Sequence, residues 1–281
     1  MMRIQTSTKS IFKVSVIGLT ILLIGGCRSG HSRLQDENET IDFDTSTPLP
    51  SGITQFSEAI RKMNPQAFAS HVSYPLPRPY PLRDIEDSTM MVNYFPIMID
   101  DSLRNVFAKA SRADWAQAGW RGWTLDAGQY IWYEDGIYAF PYISKKEKQL
   151  LRKAIEKDLA SLSPELSRGW EPLMCVESTS PNYIYRIDRS LTTPDQYRLL
   201  EYALSDNLRS TPRLIMEGEM TLDGTMQTRI FNFKGKNGET ALFFPDPSDD
   251  SSMSIDFKTK ESDTPHTIFV NPVYWTDFIK N

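Results

Sequence analysis

The sequence predicts an α+β protein: a helix-backed, curved antiparallel sheet of cone-like shape, followed by a mainly antiparallel β barrel or sandwich. Three observations predict it. From Ile53 onward, apolar residues recur every three or four positions. From Trp120 to Tyr142 the period changes to two, with turn signals at Asp126-Ala127-Gly128 and Asp135-Gly136. After Trp170, short alternating segments follow one another, separated by Ser180-Pro181-Asn182, Asp223-Gly224, Lys236-Asn237-Gly238 and Pro245-Asp246-Pro247.

The N-terminus has three parts. Arg3, Lys9 and Lys13 form a positive region without an acid before Cys27. An apolar run of eleven residues follows, Val14 to Ile24. It is shorter than the about 20 residues needed to span a bilayer and fits the apolar core of a secretory signal. Ile24-Gly25-Gly26-Cys27 then closes the segment, with two small residues that open the backbone to a peptidase and a sulfur that can take a diacylglycerol. This stretch resembles the lipobox of bacterial lipoproteins. The resemblance implies that residues 1–26 are removed and that Cys27 is the lipid attachment site. The mature chain would then be anchored to a membrane of the bacterial cell envelope without spanning it. Arg28, rather than Asp, at the second mature position points to the outer membrane. Residues 27–52 are polar, then acidic, then Pro-rich, and read as a flexible tether.

Ile53, Phe56, Ile60 and Met63 define the first helix, with Ser51 as its cap. Asn64-Pro65 restarts a helix that carries Phe68. Pro75, Pro77, Pro79 and Pro81 make the next stretch an edge or loop, because proline gives up a backbone donor. Ser88 opens a short helix that Pro96 ends, and Asp100 caps another with Leu103, Val106 and Phe107 inward. Residues 120–125, 129–134 and 137–142 read as strands. From Ser144 to Leu162 runs a long helix: Ser144 and Glu147 have capping-box spacing, and Leu150, Leu151, Ala154, Ile155, Leu159 and Leu162 form one stripe. Beyond it, strands are expected at 172–177, 183–188, 197–203, 213–219, 227–233, 240–244, 252–257 and 266–271, with 197–203 equally compatible with a helix. The division is residues 53–165 for the α+β unit and 166–281 for the mainly-β unit.

The order of helices, Pro-rich edge and aromatic strands, with Trp120-Arg121-Gly122-Trp123, Tyr130-Ile131-Trp132 and Gly136-Ile137-Tyr138, is similar to the nuclear transport factor 2-like superfamily over residues 53–143. The resemblance implies a cone with an open pocket. Members include isomerases, dehydratases and binding modules without chemistry, so it does not give function. The enzyme members place an Asp base, often with Tyr, Asp or His partners, inside the cone. His71, Tyr74, Asp84, Asp87, Asp100 and Asp101 lie in the corresponding region, and no catalytic position carries over.

Removing the signal leaves 28 basic and 36 acidic residues in 255, a net charge of −8. An acidic chain without a basic cluster points away from nucleic acid. With Cys27 acylated, Cys175 stands alone in the apolar run Leu173-Met174-Cys175-Val176 and reads as a buried, inert thiol. The three histidines are His31, His71 and His266, and no pair has metal-ligand spacing, so neither metal nor cofactor is expected. Residues 246–250 read as a solvated turn rather than a calcium loop. There is no phosphate loop, dinucleotide fingerprint or nucleophile elbow.

Seven aromatic residues between Trp115 and Tyr138 remain. Alternation puts Trp120 opposite Trp123, and Tyr130 with Trp132 opposite Tyr133. One sheet face must pack on the helices, while the other is free to line a pocket, stack on a sugar or meet the second unit. Trp120, Arg121, Trp123, Tyr130, Trp132 and His71 are the candidate ligand-binding residues. The expected function is a non-catalytic, membrane-anchored envelope lipoprotein that binds a small molecule or a protein. The alternatives are a hydrolase or isomerase using the cone pocket, with His71 or a buried Asp as base, and a structural or inhibitory envelope component.

Overall fold

The computed structural model describes residues 46–205, 211–223, 228–245, 253–260, 262 and 264–278. The signal segment, Cys27, His31 and residues 246–250 lie outside the described residues. The chain is α+β, with helices and two antiparallel sheets.

Helices α1 (Ser51–Arg61), α2 (Pro65–Ala69), α3 (Ser88–Met98) and α4 (Asp101–Lys109) come first. The Asn64 and Asp100 side chains cap α2 and α4 by accepting the Ala67 and Leu103 amides. Two details differ from the sequence expectation. Pro50, not Ser51, occupies the cap of α1, because its carbonyl already accepts the Ile53 amide at 3.0 Å. Pro96 does not end α3: the helix runs to Met98, and the Ile99 amide still reaches the Phe95 carbonyl at 2.8 Å. A proline in the last turn removes only its own donor, while burial of Phe95 and Met98 holds that turn against the core.

Strands β1 (Trp115–Gln117), β2 (Trp123–Leu125), β3 (Ile131–Tyr133) and β4 (Ile137–Ala139) form a four-stranded antiparallel meander in chain order. They are shorter than the alternation implies, because Gly119–Arg121 forms a 3-10 turn and residues 126–130 form a turn. One sheet face packs on the helices. Phe56 sits at the centre of that core, with ring centroids 5.4–6.3 Å from Tyr133, Trp115, Phe107 and His71. The Pro-rich segment is a loop, tied down by bridges from Val72 to Ile137 and from Leu76 to Ile85.

Helices α5 (Lys145–Leu159) and α6 (Pro164–Ser167) lead into strands β5 (Trp170–Thr179), β6 (Asn182–Ser190), β7 (Gln196–Ala203), β8 (Leu214–Asp223), β9 (Thr228–Gly235), β10 (Thr240–Phe244), β11 (Ser254–Lys258), β12 (His266–Phe269) and β13 (Asn271–Val273). All eight expected strand segments are present, and 197–203 is strand. Each of β5 to β11 pairs antiparallel with the next. Only Val270 separates β12, on β11, from β13, on β5. That last segment therefore joins the two edges, and the sheet wraps into a nearly closed barrel. Its interior is filled by Tyr185, Ile187, Leu199, Met216, Phe231, Phe233 and Phe243.

The α5 stripe read from the sequence is buried only in part: Leu162, just past the helix, is buried and Leu159 packs beside it, while Leu151, Ala154 and Ile155 are half-buried. The fully buried residues of the helix are Glu147 and Asp158, whereas Leu150 is exposed. Ser144 does cap the helix, accepting the Glu147 amide at 3.0 Å. The Glu147 carboxylate does not complete a capping box: it takes Arg78 Nε at 2.7 Å and the Tyr94 hydroxyl at 3.0 Å. Asp158 meets Arg186 at 2.5 Å, on the outer barrel face. Arg186 also pairs with Asp188 at 2.8 Å, and Arg198 with Asp188 at 2.6 Å. Four almost fully buried charges thus form a neutral seam between α5 and β6–β7. Burying them unpaired would cost several kcal/mol each.

The end of the described chain closes this seam. Trp275 is fully buried: its indole N–H donates to Ser161, its backbone amide donates to the Tyr80 hydroxyl, and its ring carries the Arg186 guanidinium at 4.9 Å. Tyr274 stacks on Tyr80, and Asp277 meets Arg83 of the Pro-rich loop. Helical unit, α5 and barrel are therefore joined through one segment.

Candidate functional site

The structure separates the six residues singled out in the sequence. His71 stands just beyond α2 with its ring edge toward Phe56, and partial burial lowers its imidazole pKa. Trp123 is buried in the helix-facing core, with the Arg112 guanidinium 4.8 Å from its ring. Tyr130 lies beside Tyr142 and packs on that same core, so it does not share a face with Trp132. The physical reason is the turn over 126–130, which breaks the alternation before β3 begins. The Trp132 ring lies over Gly128, where a Cβ would stand 2.6 Å from it. Trp120 is 58% exposed at the tip of the β1–β2 connection, with Arg121 against its ring at 5.4 Å. The Tyr138 hydroxyl holds this tip by donating to the Arg121 carbonyl at 2.9 Å. Only Trp120 and Arg121 form a local pair.

A cavity that combines polar and apolar groups lies elsewhere, at the end of the barrel where β6, β8 and β10 finish. Strand register builds it. Arg189 pairs with Tyr197 across β6–β7, Tyr197 with Gly218 across β7–β8, and Met220 with Phe231 and Leu222 with Arg229 across β8–β9. Alternation puts Arg189, Tyr197, Met220, Arg229 and Phe231 on the interior face. Gly218 lets β8 and β9 approach: a Cβ there would stand 1.8 Å from the Asn232 carbonyl oxygen. The Tyr197 and Phe231 rings meet edge to face at 5.1 Å. They form the floor, Leu173 and Met220 complete the apolar wall, and Ser190, Pro194 and Asp195 close the rim around about 250 Å³.

Charged groups of both signs stand around this cavity. Arg229 is 6% exposed, so its guanidinium is part of the interior wall. Arg189 is half exposed and meets Glu171 at 2.5 Å. Burial raises the Tyr197 pKa, Arg189 and Arg229 oppose that shift, and Asp195 adds to it. The Tyr197 hydroxyl therefore stays protonated at neutral pH and can donate. Among the described residues, two guanidiniums, one phenol and one carboxylate line a small bowl together with Leu173, Met220 and Phe231. Such a site can orient a ligand by charge and bury its body.

A larger hollow of about 410 Å³ lies between α1 and α4, lined by Arg61, Asp101, Arg104, Asn105 and Ala108. Its arginines are already matched, Arg61 to Glu58 and Arg104 to Asp101, both at 2.8 Å. Among the described residues, no group of three His, Cys, Asp or Glu is placed to hold a metal ion, and no helix is long and apolar enough to cross a membrane. Cys175 is buried on the outer barrel face, and burial pushes its thiol pKa far up.

The mouth residues were missed in the sequence, though one signal exists. Arg229-x-Phe231-x-Phe233 has period two, so it places a cation on the apolar face of a strand. No family model matches the chain, and no curated protein and no solved structure matches it.

Proposed function

We propose that this chain is a lipid-anchored protein of the bacterial cell envelope that binds a small molecule without transforming it, at the mouth of its barrel. In this reading residues 1–26 direct export and Cys27 carries the lipid, on the outer membrane because Arg28 follows it. The tether over 27–52 holds two units off the bilayer: a nuclear transport factor 2-like unit, and the barrel that carries the site. The single observation that carries the binding reading is the mouth cavity, a bowl of mixed polar and apolar lining with a buried guanidinium in its wall.

The enzyme alternative is disfavoured by the packing of the helical unit. The space between its helices and sheet is occupied by Phe56, Phe107, Trp115 and Tyr133, and His71 faces Phe56 rather than an open cavity. A thermal-shift screen of small molecules on the wild-type chain and on Leu173→Trp, which fills the bowl, tests the binding reading. Ligands that raise Tm in wild type and not in Leu173→Trp support it. Stabilising ligands that ignore the substitution, or saturable turnover of any of them, would refute it. Incorporation of labelled palmitate that is lost in Cys27→Ser tests the anchor.

A further inference from the structure

One aromatic ring that the fold leaves outside has a use at a membrane, an inference that rests on the lipid-anchor reading of Cys27 and is independent of the barrel mouth. We propose that the β1–β2 tip is a second membrane contact: the Trp120 ring seats in the interfacial layer of the bilayer that carries Cys27, and the surface it fits is a zwitterionic lipid face.

The ring is exposed by construction. Trp115, Trp123 and Trp275 are buried, whereas Trp120 is 58% exposed. The backbone beneath it is pinned. The Ala118 amide donates to the Gly122 carbonyl at 2.8 Å, the Arg121 amide to the Ala118 carbonyl at 2.9 Å and the Gly122 amide to the Gly119 carbonyl at 3.2 Å. The Tyr138 hydroxyl adds its bond to the Arg121 carbonyl at 2.9 Å. Gly119 and Gly122 supply the positive φ values, 50° and 76°, on which this turn depends. At Gly122 a Cβ would stand 3.0 Å from Glu134 Cα, so the tip lies directly on the β3–β4 turn. A turn fixed in this way holds a large ring in water instead of folding it back onto the sheet. Removing that ring from water is favourable, and an indole, apolar with one N–H donor, suits the layer between acyl chains and water.

The anchor brings a bilayer to this ring. The tether joins the fold close by: the Thr47 carbonyl accepts Arg112 Nε at 2.7 Å, and that guanidinium lies 4.8 Å from the ring of Trp123, two residues after Arg121. Ser46 is 19 positions after Cys27. That length of chain spans at most ~65 Å. Lipid and tip can therefore meet the same bilayer, with the bulk of both units held off it and the tip returning to it. Charge selects the surface. Arg121, against the Trp120 ring at 5.4 Å, shares this end with exposed Glu134 and Asp135. Charges of both signs surround the ring, so the contact rests on the indole and not on anionic headgroups.

The test uses the full acylated chain in phosphatidylcholine vesicles whose acyl chains carry bromine near the headgroup, where it quenches indole emission on contact. Wild type is expected to lose part of its emission relative to unbrominated vesicles. Trp120→Phe is expected to lose that quenching, and Trp132→Phe to keep it. Replacing part of the phosphatidylcholine by phosphatidylglycerol is expected to leave the wild-type quenching unchanged. Circular dichroism checks that each variant folds, and the wild-type measurement decides even if Trp120→Phe does not. No quenching of wild type, equal quenching in wild type and folded Trp120→Phe, or quenching that needs phosphatidylglycerol would overturn the inference. A wild-type chain that takes up palmitate and floats with the vesicles, yet is not quenched, leaves the anchor standing without the tip contact. A wild-type chain that carries no lipid and does not float would remove the anchor reading and the inference together.

Discussion

Substituting Arg186→Met tests whether the buried seam between α5 and the barrel is held by charge balance. Arg186 is fully buried between Asp158 and Asp188, and Arg198 compensates Asp188. Removing the Arg186 charge therefore leaves one negative charge, on Asp158, without an ionic partner inside the protein. Breaking a buried pair in this way costs about 3–5 kcal/mol. For a chain whose urea slope is ~2–3 kcal/mol per M, the unfolding midpoint falls by roughly 1–2 M. The double variant Arg186→Met/Asp158→Leu removes both charges and leaves the neutral Asp188–Arg198 pair, so most of that loss is expected to return.

The loss should also depend on pH. Asp158 has a folded-state pKa above its ordinary value of 3.8, mainly because burial penalises the charged form, with Arg186 opposing that effect. Loss of Arg186 raises it further. A carboxyl raised on folding contributes stability that is present below its unfolded pKa and lost as pH rises through its folded pKa. The Arg186→Met defect is thus expected to be largest at pH 7–8 and to shrink as pH falls toward 4. Urea melts at pH 4.5 and 7.5, read by far-ultraviolet circular dichroism, check this. A loss under about 1 kcal/mol at pH 7.5, or a defect that grows on acidification, would refute the charge-balance reasoning.

Three further outcomes are expected. Trp275→Ala removes a fully buried ring and the indole donor to Ser161, and should cost about 3–5 kcal/mol in urea unfolding. Gly122→Ala should cost more than Gly169→Ala although both glycines have positive φ: a Cβ at 122 would stand 2.3 Å from the Tyr133 carbonyl oxygen, whereas at 169 nothing lies within 4 Å. The Gly169 change should cost only the ~1–2 kcal/mol of a left-handed backbone, a difference that paired thermal melts resolve. Finally, a thiol reagent at pH 8 should find no reactive cysteine in the native acylated chain and one, Cys175, after unfolding. Burial raises the Cys175 pKa far above that pH, so a fast native thiol would contradict its packing, and a second unfolded thiol would contradict acylation of Cys27.

The strands were legible because each satisfies two demands at once. In β9, Phe231 and Phe233 point inward while Ile230 and Asn232 point outward, and the turn residues sit between such segments. Even 197–203, which fits either period, is resolved by pairing, since Tyr197 and Leu199 need the interior beside Ile187 and Met216. What the sequence hid were contacts set by chain closure. Nothing local announces that Glu147 and Asp158 are the inward residues of α5, because their partners, Arg78 and Arg186, lie 69 and 28 positions away. The leucine stripe holds at its end, where Leu159 and Leu162 pack, while charged partners take the fully buried positions of the helix. The candidate site was hidden in the same way. The aromatic cluster drew attention by its density, yet Trp123 and Tyr130 serve a core. The mouth is assembled from Leu173, Arg189, Tyr197, Met220 and Arg229, one or two residues from each of five strands. Arg229 on an apolar face was the one visible sign.

The binding reading can be tested most directly by methyl NMR of the chain labelled at its methionines. Met220 lines the mouth, whereas Met63 and Met90 lie on the surface of the helical unit, at 37% and 36% exposure. A small-molecule ligand of the barrel mouth is expected to shift the Met220 methyl in a saturable way and to leave Met63 and Met90 unmoved. Saturable shifts at Met63 or Met90 with Met220 silent would contradict a binding site at the barrel mouth.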